Sequence, residues 1–203
     1  MSAQKVSRLV LFVTFLIWVI YGFLNGFGQW PLAVAFGLAS GLCLVTVVVI
    51  SRKVTVKLMD LTMVGYFVVA ACVTFIARLV SFPYYSPVVI WLMYAAVAWG
   101  SVAAGRPFTL QYARESAPPE HWQSTAFWRT NLIISMVWGL AFLINIALVV
   151  IALNSKHSSL LLAVIFPLLT LAAAWIFTMC YSGMGRAGRE ATPRIKSILA
   201  ERR

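Results

Sequence analysis

Six long apolar runs separated by short polar segments constrain this 203-residue chain more than any other feature. They are Leu9–Leu24, Pro31–Ile50, Leu61–Ala77, Val88–Ala104, Leu132–Leu153 and Leu160–Tyr181. About 20 apolar residues, rising 1.5 Å each in a helix, match the ~30 Å hydrocarbon core of a bilayer. Within lipid a backbone must satisfy its own hydrogen bonds, and a helix does so inside each segment. The expected fold is therefore all-α. Six transmembrane helices in three hairpins form a single domain, followed by a basic tail over residues 182–203. Composition closes the alternatives. With 62% apolar and 10% charged residues, too little polar surface exists to cover a water-soluble globule. The length leaves no room for a separate soluble catalytic domain.

The charges then set an orientation. Of the 16 Lys and Arg residues, all but Arg78 and Lys156 fall on one side of the six runs. All five acids, Asp60, Glu115, Glu120, Glu190 and Glu201, share that side. The positive-inside rule places it, and both termini with it, in the cytoplasm. Topology and attraction to anionic inner-leaflet lipids account for the net charge of +11, so no nucleic acid is expected as a partner. The first run follows Lys5 and Arg8 as in a signal peptide. It ends in Asn25-Gly26-Phe27-Gly28 without an Ala-x-Ala-like step, and reads as an uncleaved span. Trp18, Trp30, Tyr84, Tyr85, Trp91, Trp99, Trp122, Trp128 and Tyr181 read mostly as interfacial anchors.

Little in the sequence carries chemistry. Cys43, Cys72 and Cys180 lie far apart in apolar runs and read as small buried hydrophobes. His121 and His157 fall on opposite sides of the membrane, which excludes a shared haem or metal site, and no cofactor is expected. Gly183-Met184-Gly185-Arg186-Ala187-Gly188 spells G-x-G-x-x-G, but it follows a transmembrane run instead of opening a βαβ unit. The runs hold no Asp or Glu away from their ends, which counts against an ion-coupled carrier and against an acid–base enzyme within the bilayer. Among their polar residues, Asn145 is the best candidate for a hydrogen bond between helices.

Two small-residue ladders recur at four-residue spacing. Ala33, Gly37 and Gly41 line one face of the second run, and Ala96, Gly100 and Ala104 one face of the fourth. Such faces let backbones approach closely, so both are expected in the packed interior or at the seam of a homo-oligomer. The segment from Gly105 to Asn131 is the most distinctive loop. Pro107 is expected in the first turn of a short helix carrying Phe108, Tyr112 and Arg114, which Pro118 and Pro119 break. Aromatic Tyr112, Trp122 and Trp128 interleave with Arg106, Arg114 and Arg129. That mixture suits a segment lying on the inner leaflet, acting either as a lipid-facing connector or as a docking surface for a protein partner.

Three groups of residues carry a family resemblance: Ser51-Arg52-Lys53-Val54 with Lys57-Leu58-Met59, Arg106-Pro107-Phe108 with Arg114, and Phe127-Trp128-Arg129-Thr130-Asn131 followed by Trp138, Phe142 and Asn145. Over residues 50–150 the chain resembles the bacterial intracellular septation protein A family. The resemblance implies a bacterial inner-membrane protein of envelope organisation, cell division or elongation, working through contacts with membrane-protein partners and lipids, without catalytic residues. The alternative is an uncoupled transporter or channel for a small or lipidic solute.

Overall fold

The computed structural model describes residues 3–52, 55–155 and 161–182, which are helices joined by short turns with no strand among them. The elements are α1 (Ala3–Gly26), α2 (Trp30–Ser51) and α3 (Leu58–Ala71), the last continued by a π turn at Cys72–Ile76. After them come α4 (Phe82–Ala103), the short α5 (Thr109–Ser116), a 3-10 turn (Pro119–His121) and α6 (Thr125–Asn154). The last is α7 (Leu161–Ser182), whose first turn is π-helical. Five of these are long and apolar enough to cross a membrane: α2, α3 with its π turn, α4, α6 and α7. In α1 the apolar stretch is shorter, Phe12–Gly26. Lys53, Lys156, His157 and the whole Gly183–Gly188 motif and basic tail lie outside the described residues.

The helices run past the apolar runs at several ends, for local reasons. α4 starts at Phe82, so Pro83 and Pro87 belong to it and do not punctuate a turn before it. Pro83 sits in the first turn, where no N–H is needed. Pro87 removes the N–H that would reach the Pro83 carbonyl, and the Ser86 hydroxyl donates to that carbonyl at 3.0 Å. α6 starts at Thr125 because Ser124 caps it, its Oγ accepting from the Phe127 N–H at 3.2 Å. At the other end of α2, Arg52 turns the chain out with φ of 51°.

Packing divides into two cores. The first joins α1, α2 and α3 with one side of α4. There Gly37 faces Phe67 so closely that a Cβ would meet the ring at 2.1 Å. Trp18 stacks on Phe67 at 5.2 Å between centroids, and the Tyr21 and Tyr66 hydroxyls share a hydrogen bond of 2.6 Å. Trp30 donates its indole N–H to Thr74 at 2.8 Å. Trp18 and Trp30 are thus packing residues of this core. The second core joins the other side of α4 with α6, through Ala95, Ala98, Trp91, Tyr94, Trp138 and Phe142. Trp99 lies against Gly139, whose missing Cβ would sit 2.9 Å from the indole nitrogen. α7 attaches to α6 through Trp138 Nε1 to Thr178 Oγ1 (3.0 Å) and a hydrogen bond from Thr170 to Asn145 Oδ1. Asn145 is fully buried.

Two expectations are corrected by this packing. Ala33, Gly37 and Gly41 are buried, but Ala96, Gly100 and Ala104 face outward, and a Cβ on Gly100 would meet nothing within 4 Å. The α4 ladder is therefore not in the interior of the bundle, because α4 turns Ala95, Ala98 and Ser101 inward on its opposite face, and of the two expected places the seam of a homo-oligomer is the one left to it. The three cysteines are exposed on outward helix faces and are not buried.

Candidate functional site: a loop locked beneath the bundle

The connection between α4 and α6 is built into the fold from both sides. On one side Pro107, Phe108 and Thr109 push between α4 and α6 and are buried. The Phe108 N–H donates to Ser101 Oγ at 3.1 Å. The Thr109 hydroxyl donates to the Asn131 carbonyl at 2.8 Å and lies 2.8 Å from Ser135 Oγ. Each hydroxyl is small enough to reach backbone at a helix contact and polar enough to satisfy it there. Phe108 caps α5 instead of lying within it. Leaving water becomes favourable for this turn because its polar groups find partners as Phe108 and Leu110 bury their apolar surface.

On the other side α5 closes over the start of α3. The first turn of any helix has N–H groups with no partner inside the helix. Here the Leu58 N–H donates to Gln111 Oε1 at 2.8 Å, and the Lys57 N–H reaches Asp60 Oδ2 at 3.3 Å. Lys57, only 1% exposed, pairs through Nζ with Glu115 Oε2 at 3.0 Å. The same ammonium lies 4.8 Å from the centre of the Tyr112 ring. Burial pushes the Tyr112 phenol well above its ordinary range, with Asp60 adding to the shift, so the ring stays uncharged. Two acids and a lysine, taken from two polar segments of the sequence more than 50 residues apart, thus meet at one short helix.

A buried ion pair adds little net stability, because desolvating both charges offsets their attraction. What it does supply is register, since either charge left alone is costly. Together with the Thr109 contacts it fixes α5 against α3, α4 and α6. Only the far side of the loop is free to meet anything else. Arg106, Arg114, Trp122, Trp128 and Arg129 are exposed there, and Arg114 lies over the Trp122 ring at 5.6 Å. Trp128 and Trp122 are themselves held, by indole hydrogen bonds to Gly105 O at 3.1 Å and Ala117 O at 3.0 Å.

Of the contact residues expected from sequence, Tyr112 turns inward to the charge cluster, and the other five form the exposed rim. The sequence reading missed Lys57, Asp60, Gln111 and Glu115 as a unit. The available signal was that a chain with only five acids spends two of them, Asp60 and Glu115, next to basic segments. Among the described residues no group of three His, Cys, Asp or Glu could hold a metal ion. No family model, curated protein or solved structure matches the chain.

Proposed function

We propose that this chain is a non-enzymatic protein of the bacterial inner membrane, crossing it six times with both ends in the cytoplasm, and that it works through protein and lipid contacts in envelope organisation or cell division. The sixth span is α1, whose apolar stretch is extended by the residues before Phe12. The one-sided distribution of Lys and Arg supports the orientation. The resemblance to the septation protein A family supports the process. The observation that carries the contact role is the exposed rim of Arg106, Arg114, Trp122, Trp128 and Arg129, backed by a buried lock. Arginine and tryptophan on a pre-ordered support lose little entropy on binding and make good anchors for a protein partner.

The test is the double variant Arg106→Ala with Arg114→Ala. A protein-docking rim predicts that the cross-linked complex with a membrane-protein partner disappears while insertion and melting temperature hold. If cross-linking is unchanged and the only loss is a modest stability dependent on anionic lipid, the rim is a lipid contact. If neither changes, the rim has no such role. Cysteine labelling at residues 114 and 29 from each side of the membrane tests the orientation, with 114 expected inside and 29 outside.

A further inference from the structure

Along one flank of the first core, α1 and α2 leave an open groove of about 750 Å³, within the ~300–1,000 Å³ range usual for bound organic ligands. Its floor is made by Val10, Ile17, Leu44 and Val48, all buried. On α2 the wall residues Ala39, Ser40 and Cys43 are small, and the side-chain volume they lack forms the recess opposite Leu9, Leu16 and Ile20 of α1. Its composition is that of a site for hydrocarbon. Its lining carries no charged side chain and no polar group beyond the hydroxyls of Ser40 and Ser51.

We propose that this groove holds one acyl chain of an anionic phospholipid from the cytoplasmic leaflet, an inference that rests on the membrane orientation proposed above. Length supports it. The lining on α1 runs from Val6 to Ile20, about 21 Å of helix at 1.5 Å per residue. One leaflet of a ~30 Å core is about 15 Å deep, so the groove accommodates a whole chain from headgroup level to the midplane. Charge supports it as well. The groove begins at Val6 and Ser51, Arg52 follows directly at its α2 end, and no acid stands among residues 1–59 of the sequence. Arg52 itself is exposed at the end of α2 in a left-handed turn. A cationic mouth over a hydrocarbon slot matches a phosphodiester headgroup joined to an acyl chain.

Cys43 supplies the test, because it lines the groove while Cys72 and Cys180 do not. In a Cys72→Ser, Cys180→Ser background, phosphatidylglycerol added to detergent-purified protein should slow maleimide labelling of Cys43 several-fold. Phosphatidylcholine with the same chains should protect less, and Arg52→Ala should narrow that difference. By native mass spectrometry, Ala39→Phe should abolish retained phosphatidylglycerol. Val49→Phe, nearly three helix turns further along α2 and outside the lining, should not. Equal labelling with and without lipid, or equal retention in both Phe variants, overturns the proposal. A disulfide-linked dimer through Cys43 on mild oxidation overturns it too, by making a second copy the occupant. Because Arg106→Ala with Arg114→Ala should leave Cys43 protection intact, failure of the groove and failure of the loop as a contact site are distinguishable.

Discussion

The second and fourth helices carry ladders of small residues at the same spacing, yet they meet opposite surroundings. On α2 the glycine at position 37 lies under the Phe67 ring, and close packing of three helices depends on it. On α4 the glycine at position 100 faces open space. At the α4–α6 seam the small residue belongs to the other helix, where Gly139 receives Trp99 of α4. Spacing of small residues therefore marks a face that could be approached closely, but the size of the partner side chain decides which face is used. The seam of α4 is held by a second device as well, the locked loop at its end.

The largest expected effect separates that device from simple packing. Lys57→Ala leaves buried Asp60 and partly buried Glu115 without the ammonium, which should cost about 3 kcal/mol, the low end for a broken buried pair, seen as a steep fall in detergent melting temperature. Next comes Gly37→Leu, for which Phe67 has no room to give without parting α2 from α3. A loss near the upper end of the ~1–3 kcal/mol seen for overpacking is expected, read by the same melting curve. Gly139→Ala should cost about 1 kcal/mol, because the Trp99 indole can shift by the few tenths of an ångström required. Gly100→Leu should stay within about 0.5 kcal/mol, since the new side chain enters open space. A large loss at Gly100 measured for the monomer would erase the distinction between the ladders. A loss appearing only as dissociation of an oligomer would assign that ladder to a seam between copies.

The helical class was legible because apolar runs of this length have one stable form in lipid. Helix ends were less so. α4 gains its first turn from Pro83 and Ser86, residues that elsewhere signal a turn. Four-residue spacing does not pick out the inward side of α4, because the buried Ala95, Ala98 and Ser101 lie about 200° round the helix from Ala96, Gly100 and Ala104. Residue type and nearness to a span end mark Trp18 and Trp30 as anchors but do not reveal their packing, because aromatic rings pack equally well inside once an indole N–H finds a partner such as Thr74. The charge cluster was hidden for another reason. Lys57 and Glu115 stand in segments that each resemble a solvated loop, and only the return of the chain over α3 buries the lysine and partly buries the glutamate.

That return has a consequence for biogenesis. The Leu58 amide is capped by a side chain 53 positions later, Gln111, and Lys57 waits similarly for Glu115. At about 5–20 residues per second, the ribosome needs roughly 3–10 s to supply that partner. Helix formation takes on the order of microseconds, so α3 and α4 exist long before the lock can close. During those seconds Lys57 belongs to the water phase, and on the orientation proposed above its charge would help hold the start of α3 at the cytoplasmic surface. On that orientation the same lysine would first help orient the nascent chain and afterwards, withdrawn from water, bolt the finished bundle shut.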